Sequence, residues 1–274
     1  MLLPTTSGPM ELGRGQVAIV AGASGAIGST TVRALFRRGV NVVLAALYDE
    51  TLDVLAREAA ELGLGALVVP TDLRDRAEID LLVAKALVTF GRIDILINAA
   101  GIGGTPSLCD ATDDELENVV AINLLGPARL IHAVLPAMKA QRRGAIVNVG
   151  SIAGETAVMG MYSASKFGLR GLTDTVRREV RSYNVEVTLI QPGFVRSPMN
   201  PALGARVPGP EIVADAIVAA LERPRRKHVV PGVYRIPILI AGAFPALSDL
   251  VFGDARIQHR LNRDARAARA ASRN

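Results

Sequence analysis

The sequence predicts an α/β protein: a doubly wound, mostly parallel sheet flanked by helices. Three observations lead there. Short aliphatic runs alternate with longer segments of helical apolar spacing along most of the chain. Half of the residues are hydrophobic but only 4% are aromatic, so the core must be aliphatic, which suits strands covered on both faces. A small-residue turn, Gly22-Ala23-Ser24-Gly25-Ala26-Ile27-Gly28, joins the first apolar run to the first helical one.

The 274 residues suffice for one large domain over 1–274, and no repeat or interdomain linker divides them. The single cysteine, Cys109, excludes an intrachain disulfide framework, and with three scattered His it offers no metal-ligand spacing. Reducing cytosol is the expected compartment. Met1-Leu2-Leu3 runs into Pro4 without the apolar stretch of a signal peptide. The net charge of +5 is concentrated in residues 254–274, where six Arg face two Asp. A solvated basic tail is expected there, with no nucleic-acid partner; binding of the tail to nucleic acid or to an anionic lipid surface is the alternative.

The elements follow in order. Residues 1–13 read as a loose leader. A strand over 16–21 enters the glycine turn, and a helix over 26–38 stops at Gly39. Strand, small-residue turn and helix together form the arrangement that presents backbone N–H groups to a dinucleotide pyrophosphate. A strand over 40–47, a helix over 49–62 and a strand over 66–70 continue the alternation, and Thr71-Asp72-Leu73 stands at the end of that third strand. A helix over 74–90 precedes a strand over 93–97 that empties into Asn98-Ala99-Ala100-Gly101. Thr112 caps a long helix to about 140, with acidic residues suiting its N-terminus and Pro127 and Pro136 expected to kink it. Asn123, inside it, either bonds helix to helix or faces a site. The apolar run 144–150 is a buried strand that delivers Ser151, and a further strand over 185–191 opens into Pro192-Gly193-Phe194-Val195-Arg196-Ser197. A helix over 210–222 and a short strand over 228–231 complete the pattern. Ligands of such sheets bind beyond the carboxyl ends of the strands, where Gly22, Asp72, Asn98, Ser151 and Gly193 all fall.

Tyr162-Ser163-Ala164-Ser165-Lys166 carries the chemistry. At positions i and i+4 near the start of a helix, Tyr162 and Lys166 share a face. A neighbouring ammonium is expected to favour the phenolate and lower the tyrosine pKa. Ser151, eleven residues earlier at a strand end, would present a hydroxyl to the same space.

In this order the residues resemble the short-chain dehydrogenase/reductase family, compact single-domain branch, over about residues 14–232. The resemblance implies a seven-stranded, mostly parallel Rossmann sheet and hydride transfer between NADP or NAD and an alcohol or carbonyl carbon. It implies Tyr162 as general acid/base, Lys166 as holder of the nicotinamide ribose, Ser151 on the substrate oxygen and Asn123 in a proton relay. Gly22, Ser24, Ala26, Ile27 and Gly28 would form the pyrophosphate turn. Ala46 and Leu47 would meet the adenosine ribose, Asp72 and Leu73 the adenine, and Asn98, Ala99 and Gly101 the adenosine side. Pro192, Gly193, Val195 and Ser197 would border the carboxamide and phosphates. Ala26 stands where the family commonly has Gly, Ala99 replaces a usual Asn, and the Ser151–Tyr162 spacing is short. Ala46 lacks the carboxylate of NAD-specific members, so NADP is preferred. Homodimers or homotetramers are implied as well. The rivals are a non-catalytic nucleotide-binding regulator and an epimerase or lyase using the same site.

The apolar segment 233–253, above all 236–247, admits three readings: a cover over the substrate cleft or a subunit interface, a membrane-surface contact backed by the basic tail, or a core helix. The first two predict an apolar lipid-, steroid- or polyketide-like substrate and a cytoplasmic protein, in the second reading one peripheral at the membrane.

Overall fold

The computed structural model describes residues 10–105, 107–197 and 207–253. Residues 1–9 of the expected 1–13 leader, the end of the 192–199 loop and the basic tail lie outside these; in the described part of the leader Met10 is buried in the core and Leu12 packs against it. Seven strands form one sheet in the order β3-β2-β1-β4-β5-β6-β7: β1 (Val17–Ala21), β2 (Asn41–Ala46), β3 (Ala66–Pro70), β4 (Ile95–Asn98), β5 (Gly144–Val149), β6 (Val185–Pro192) and β7 (Lys227–Val230). Every neighbouring pair is parallel, so the expected mostly parallel sheet is entirely so among the described residues. Parallel neighbours require crossovers, and each crossover carries apolar helix faces onto the sheet.

Alternate side chains of the strands supply two cores. On one face Ala18 and Val20 pack with Val32 and Leu35 of α1 (Ala26–Phe36), Leu52 and Leu55 of α2 (Glu50–Glu61), and Ile217 of α8 (Glu211–Glu222). On the other, Val17 and Ile19 pack with Ile79 and Leu82 of α3 (Arg76–Phe90), Leu130 and Val134 of α5 (Gly126–Gln141), and Val176 of α7 (Gly160–Glu179). The order of β1 and β4 reverses the direction of winding between them. That reversal opens the crevice at their carboxyl ends.

The predicted long helix is α4 (Asp113–Val120), a π-helical turn at Ala121–Leu125, and α5. The break precedes Pro127, which lacks the N–H that an α-helix would direct to the Asn123 carbonyl. Widening to the π register is the local answer. Thr112 caps the start as expected, its Oγ1 accepting the Glu115 N–H at 3.3 Å.

Beyond β7 the chain makes a 3₁₀ turn at Gly232–Tyr234 and two short helices, α9 (Arg235–Ala243) and α10 (Pro245–Phe252). The core-helix reading of this segment is corrected: Ile238 alone among the α9 residues is buried, because α9 lies outside the layered core.

Candidate active site

The glycine turn is held by steric necessity. Gly22 has φ +81°, and a Cβ there would stand 2.6 Å from the Ala100 nitrogen. At Gly28 a Cβ would fall 1.9 Å from the Gly22 oxygen, so α1 can seat against the turn only with glycine at that position. Ala26 is the first residue of α1, and Gly25 precedes it in extended backbone. The methyl group therefore sits on an ordinary helical residue, which is why glycine is not required there. No side chain caps α1 and no acid lies in its first turn, leaving its N-terminal N–H groups to an anion.

A cleft of about 740 Å³ runs from this turn across the strand ends. Of the predicted residues Gly22, Ser24, Ala46, Leu47, Asp72, Leu73, Ala99 and Gly101 line it. Ala26, Ile27 and Gly28 form the start of α1 behind the turn and Asn98 is buried at the end of β4. Ser151, Tyr162, Lys166, Pro192, Gly193, Val195 and Ser197 are not among the residues that line this cleft, and Lys166 approaches it at Gly101, where a Cβ would lie 3.3 Å from Nζ. Sequence reasoning missed Thr71, Arg74, Ile102, the α4 cap Thr112 and the α4 residues Asp114, Glu115 and Asn118 that also line it. Arg74 was readable as a cation two residues after Asp72; the α4 residues carried no signal, because only the tertiary fold brings that helix over the crevice.

Asp72 is engaged. Arg74 donates Nε to both carboxylate oxygens at 3.0 Å and Nη2 at 2.6 Å, and the Arg74 side-chain bond holds the Asp72 carboxyl below its usual range. Arg74 Nη1 donates to Asn118 Oδ1 at 3.0 Å, which joins the end of β3 to α4. Asn98 belongs to a buried ladder: its Nδ2 donates to Asn148 Oδ1 at 2.7 Å, and Asn148 Nδ2 to Thr173 Oγ1 at 2.9 Å. Asn98 Oδ1 is buried without a protein partner, an orphaned acceptor at the mouth of β4.

Asn123 answers the question left open by its sequence position. Its Nδ2 donates to the Ile102 carbonyl at 2.9 Å and to Ser165 Oγ at 3.1 Å, while Oδ1 accepts the Ile102 N–H at 2.9 Å. The side chain thus ties the π turn to α7 and to the loop that follows β4. It also reaches the site: a Cβ at Gly101 would lie 3.3 Å from both Asn123 Oδ1 and Lys166 Nζ.

Tyr162 and Lys166 come together as predicted, both buried, with the ammonium 5.8 Å from the phenol ring centre. Lys166 Nζ donates to the Val149 carbonyl at 3.0 Å, and burial pushes its pKa down to about 8. The expectation of a lowered tyrosine pKa is corrected. Burial drives the Tyr162 phenol above its usual value, and a hydrogen bond with Ser151 only partly opposes this. The ammonium is turned to a main-chain carbonyl, so desolvation of the phenolate wins. Ser151 itself opens α6 (Ala153–Thr156), accepting the Ala153 N–H at 3.1 Å. The short Ser151–Tyr162 spacing is therefore filled by one helical turn that still brings both hydroxyls together.

Pro192 and Gly193 lie opposite. Gly193 donates its N–H to the Val230 carbonyl at 2.8 Å, and Pro192 accepts the Ile152 N–H at 2.9 Å, so the β6 loop is fastened to the Ser151 segment. Val195 is buried in the core, and Ser197 is half-buried at the limit of the described loop.

The arrangement fits a dinucleotide on this chain's own geometry: a turn that a Cβ would fill, an uncapped helix start, and a cleft whose Gly101 adjoins Lys166 of the Ser–Tyr–Lys group. Comparison with known proteins agrees. A family model described as short chain dehydrogenase matches residues 16–207. An uncharacterised oxidoreductase of Staphylococcus haemolyticus is 34% identical over 220 residues, covering 78% of this chain and 94% of its own. The 3-oxoacyl-[acyl-carrier-protein] reductase of Thermotoga maritima is 35% identical over 193 residues, covering 69% and 78%. Among solved structures, a metagenomic short-chain oxidoreductase in complex with NADP is 33% identical with a TM-score of 0.71, covering 80% of this chain and 97% of its own. A short-chain dehydrogenase of Streptomyces avermitilis, 28% identical, has a TM-score of 0.75 and covers 86% and 94%. With the family model spanning most of the chain, this protein belongs to the short-chain dehydrogenase/reductase family, NAD(P)-dependent oxidoreductases acting on CH–OH and C=O groups.

Proposed function

We propose that this protein is an NADP-preferring reductase of apolar ketones, and in reverse a dehydrogenase of the corresponding secondary alcohols. The observation that carries the reading is the Ser151–Tyr162–Lys166 group: Ser151 bonds the phenol, Tyr162 and Lys166 are buried, and the ammonium lies beside Gly101 of the cleft. The bound nicotinamide nucleotide supplies or accepts the hydride.

The chain's residues do the rest. Tyr162, held protonated by burial, donates its phenolic proton to the substrate oxygen as negative charge develops there. Ser151 donates a second hydrogen bond to the same oxygen, and the two positioned hydroxyls stabilise the developing charge. The Lys166 ammonium, fastened to Val149, sits within the same buried group and favours the phenolate once the proton has left. Asn123 fixes the π turn through its side chain, leaving its main chain to take part in any relay of protons to solvent.

Preference for NADP rests on what the adenosine end lacks and has. Neither Ala46 nor Leu47 brings a carboxylate that would repel a 2′-phosphate, and Arg74 lines the same cleft. A homologue of known structure is in complex with NADP. The apolar substrate class is proposed from the exposed hydrophobic side chains of α9, which packs on α6, and of α10, which packs on α9, and a cytoplasmic homodimer or homotetramer, peripheral at a membrane, is the proposed setting.

Titration with NADPH and NADH, read by nicotinamide fluorescence, tests the reading. Saturable binding of NADPH at lower concentration than NADH is expected, followed by turnover of apolar ketones. Binding of neither nucleotide by folded protein, or turnover confined to small polar sugars, would overturn it.

A further inference from the structure

The segment after β7 carries its apolar side chains outward. From Gly232 to Phe252 only Arg235 and Asp249 are charged. Val233, Ile236, Leu239, Phe244, Leu247 and Leu250 are exposed, Leu239 and Leu250 by 71% and 75%. Apolar patches gathered in this way mark surfaces that meet something else. The chain then continues, at residues 254–274, with six Arg against two Asp.

This face adjoins the active site. The Tyr234 ring covers Gly193, where a Cβ would fall 2.1 Å from it, and α9 packs on α6, the turn that follows Ser151. The apolar surface and the Ser151 segment are therefore adjacent, and the basic segment follows α10 in the sequence.

We infer that this face docks on an anionic lipid surface, the apolar side chains of α9 and α10 entering the bilayer interface and the Arg-rich segment held by lipid charge. The apolar alcohol or ketone then reaches the cleft from that surface. Delivery rests on the proposed substrate class; docking does not. Helices of nine and eight residues fall well short of the ~20 needed to span a bilayer, whereas an apolar face flanked by basic residues suits a helix lying in the interface plane. Charge separates lipid from a second copy of this chain. Pairing two such faces would bring two Arg-rich segments together, and like charges repel, whereas anionic headgroups attract each of them.

Co-sedimentation of the full chain with vesicles tests the inference, using phosphatidylcholine alone and phosphatidylcholine with phosphatidylglycerol at low and high salt. Binding to the phosphatidylglycerol vesicles, weakened by salt, is expected. Replacing two exposed leucines in the variant Leu239→Asp/Leu250→Asp should lower the partition coefficient about tenfold or more. The variant should keep its NADPH affinity and its turnover of a water-soluble ketone, and lose rate only on a ketone dissolved in vesicles. Absence of binding to anionic vesicles, equal binding by the variant, or self-association that the variant abolishes without vesicle binding would overturn docking. Equal rates on the vesicle-borne ketone would overturn delivery. Protein that pellets with vesicles but binds no nucleotide would instead refute the oxidoreductase reading and leave docking standing.

Discussion

Tyr162 and Lys166 set the pH behaviour of the site in opposite ways. With the phenol pKa raised by burial, Tyr162 is an acid at neutral pH and its phenolate is scarce. Carbonyl reduction needs the acid and alcohol oxidation needs the base, so the oxidation rate should climb from neutral into alkaline pH while reduction stays level or falls. Initial rates in both directions across that range would show it. Tyr162→Phe removes a hydroxyl and little packing; kcat should drop about 10²–10⁴-fold, the usual scale for a general acid, with NADPH affinity nearly unchanged. Lys166 affects stability. Below pH 8 the folded and unfolded chains both carry the ammonium; between about 8 and the ordinary value of 10.5 the unfolded chain binds the extra proton, so stability rises with pH. In the absence of nucleotide, Lys166→Met should be more stable than the parent near pH 7, and urea unfolding should show that gap narrowing toward pH 10.

At the scale of elements, the site depends on short pieces held from outside. The α1 start can approach the turn only because Gly28 lacks a side chain. Gly28→Ala forces main chain to move, and overpacking of this kind costs about 1–3 kcal/mol; a lower Tm together with weakened NADPH binding is expected. The four residues of α6 cannot hold themselves as a helix. Glu155 anchors them, its carboxylate accepting from Arg170 Nη1 at 2.7 Å, Gln191 Nε2 at 2.7 Å and Lys227 Nζ at 3.0 Å. Because its carboxylate is buried, Glu155→Gln should destabilise the protein by roughly 1–3 kcal/mol and loosen Ser151. Urea unfolding measures the first effect, and a fall in kcat with little change in NADPH affinity the second. This hub was not legible in the sequence, where Glu155 is one acid among 26 Asp and Glu.

The whole molecule is a sheet with a crevice, and the crevice is where a ligand couples to global stability. A nucleotide that binds the folded chain alone stabilises it by about 2.7 kcal/mol at a hundredfold excess over its Kd. Thermal unfolding should therefore shift upward by several degrees with NADPH and by less with NADH at equal concentration. Several contacts across the cleft already span distant segments, among them Arg74 on β3's exit with Asn118 on α4, and Thr105 with Glu115, whose carboxylate accepts the Thr105 N–H at 2.7 Å. They position the cleft wall that no single stretch of sequence contains.

Periodicity and punctuation are local properties, so the sequence by itself determined the alternation of strands and helices, the glycine turn, and the Tyr162–Lys166 pair on one helical face. Parallel strands buried on both faces read as uninterrupted aliphatic runs, and that made the sheet legible. Where a side chain's role depends on which distant group lies beside it, the tertiary structure decided. It placed Asn123 against Ile102 and Ser165, turned Lys166 to the Val149 carbonyl, and buried the Tyr162 phenol deeply enough to reverse the expected direction of its pKa. It also left the apolar residues of α9 and α10 facing outward. An apolar run reads the same whether a core or a bilayer receives it, because hydrophobicity records only the preference to leave water and not the surface that satisfies it.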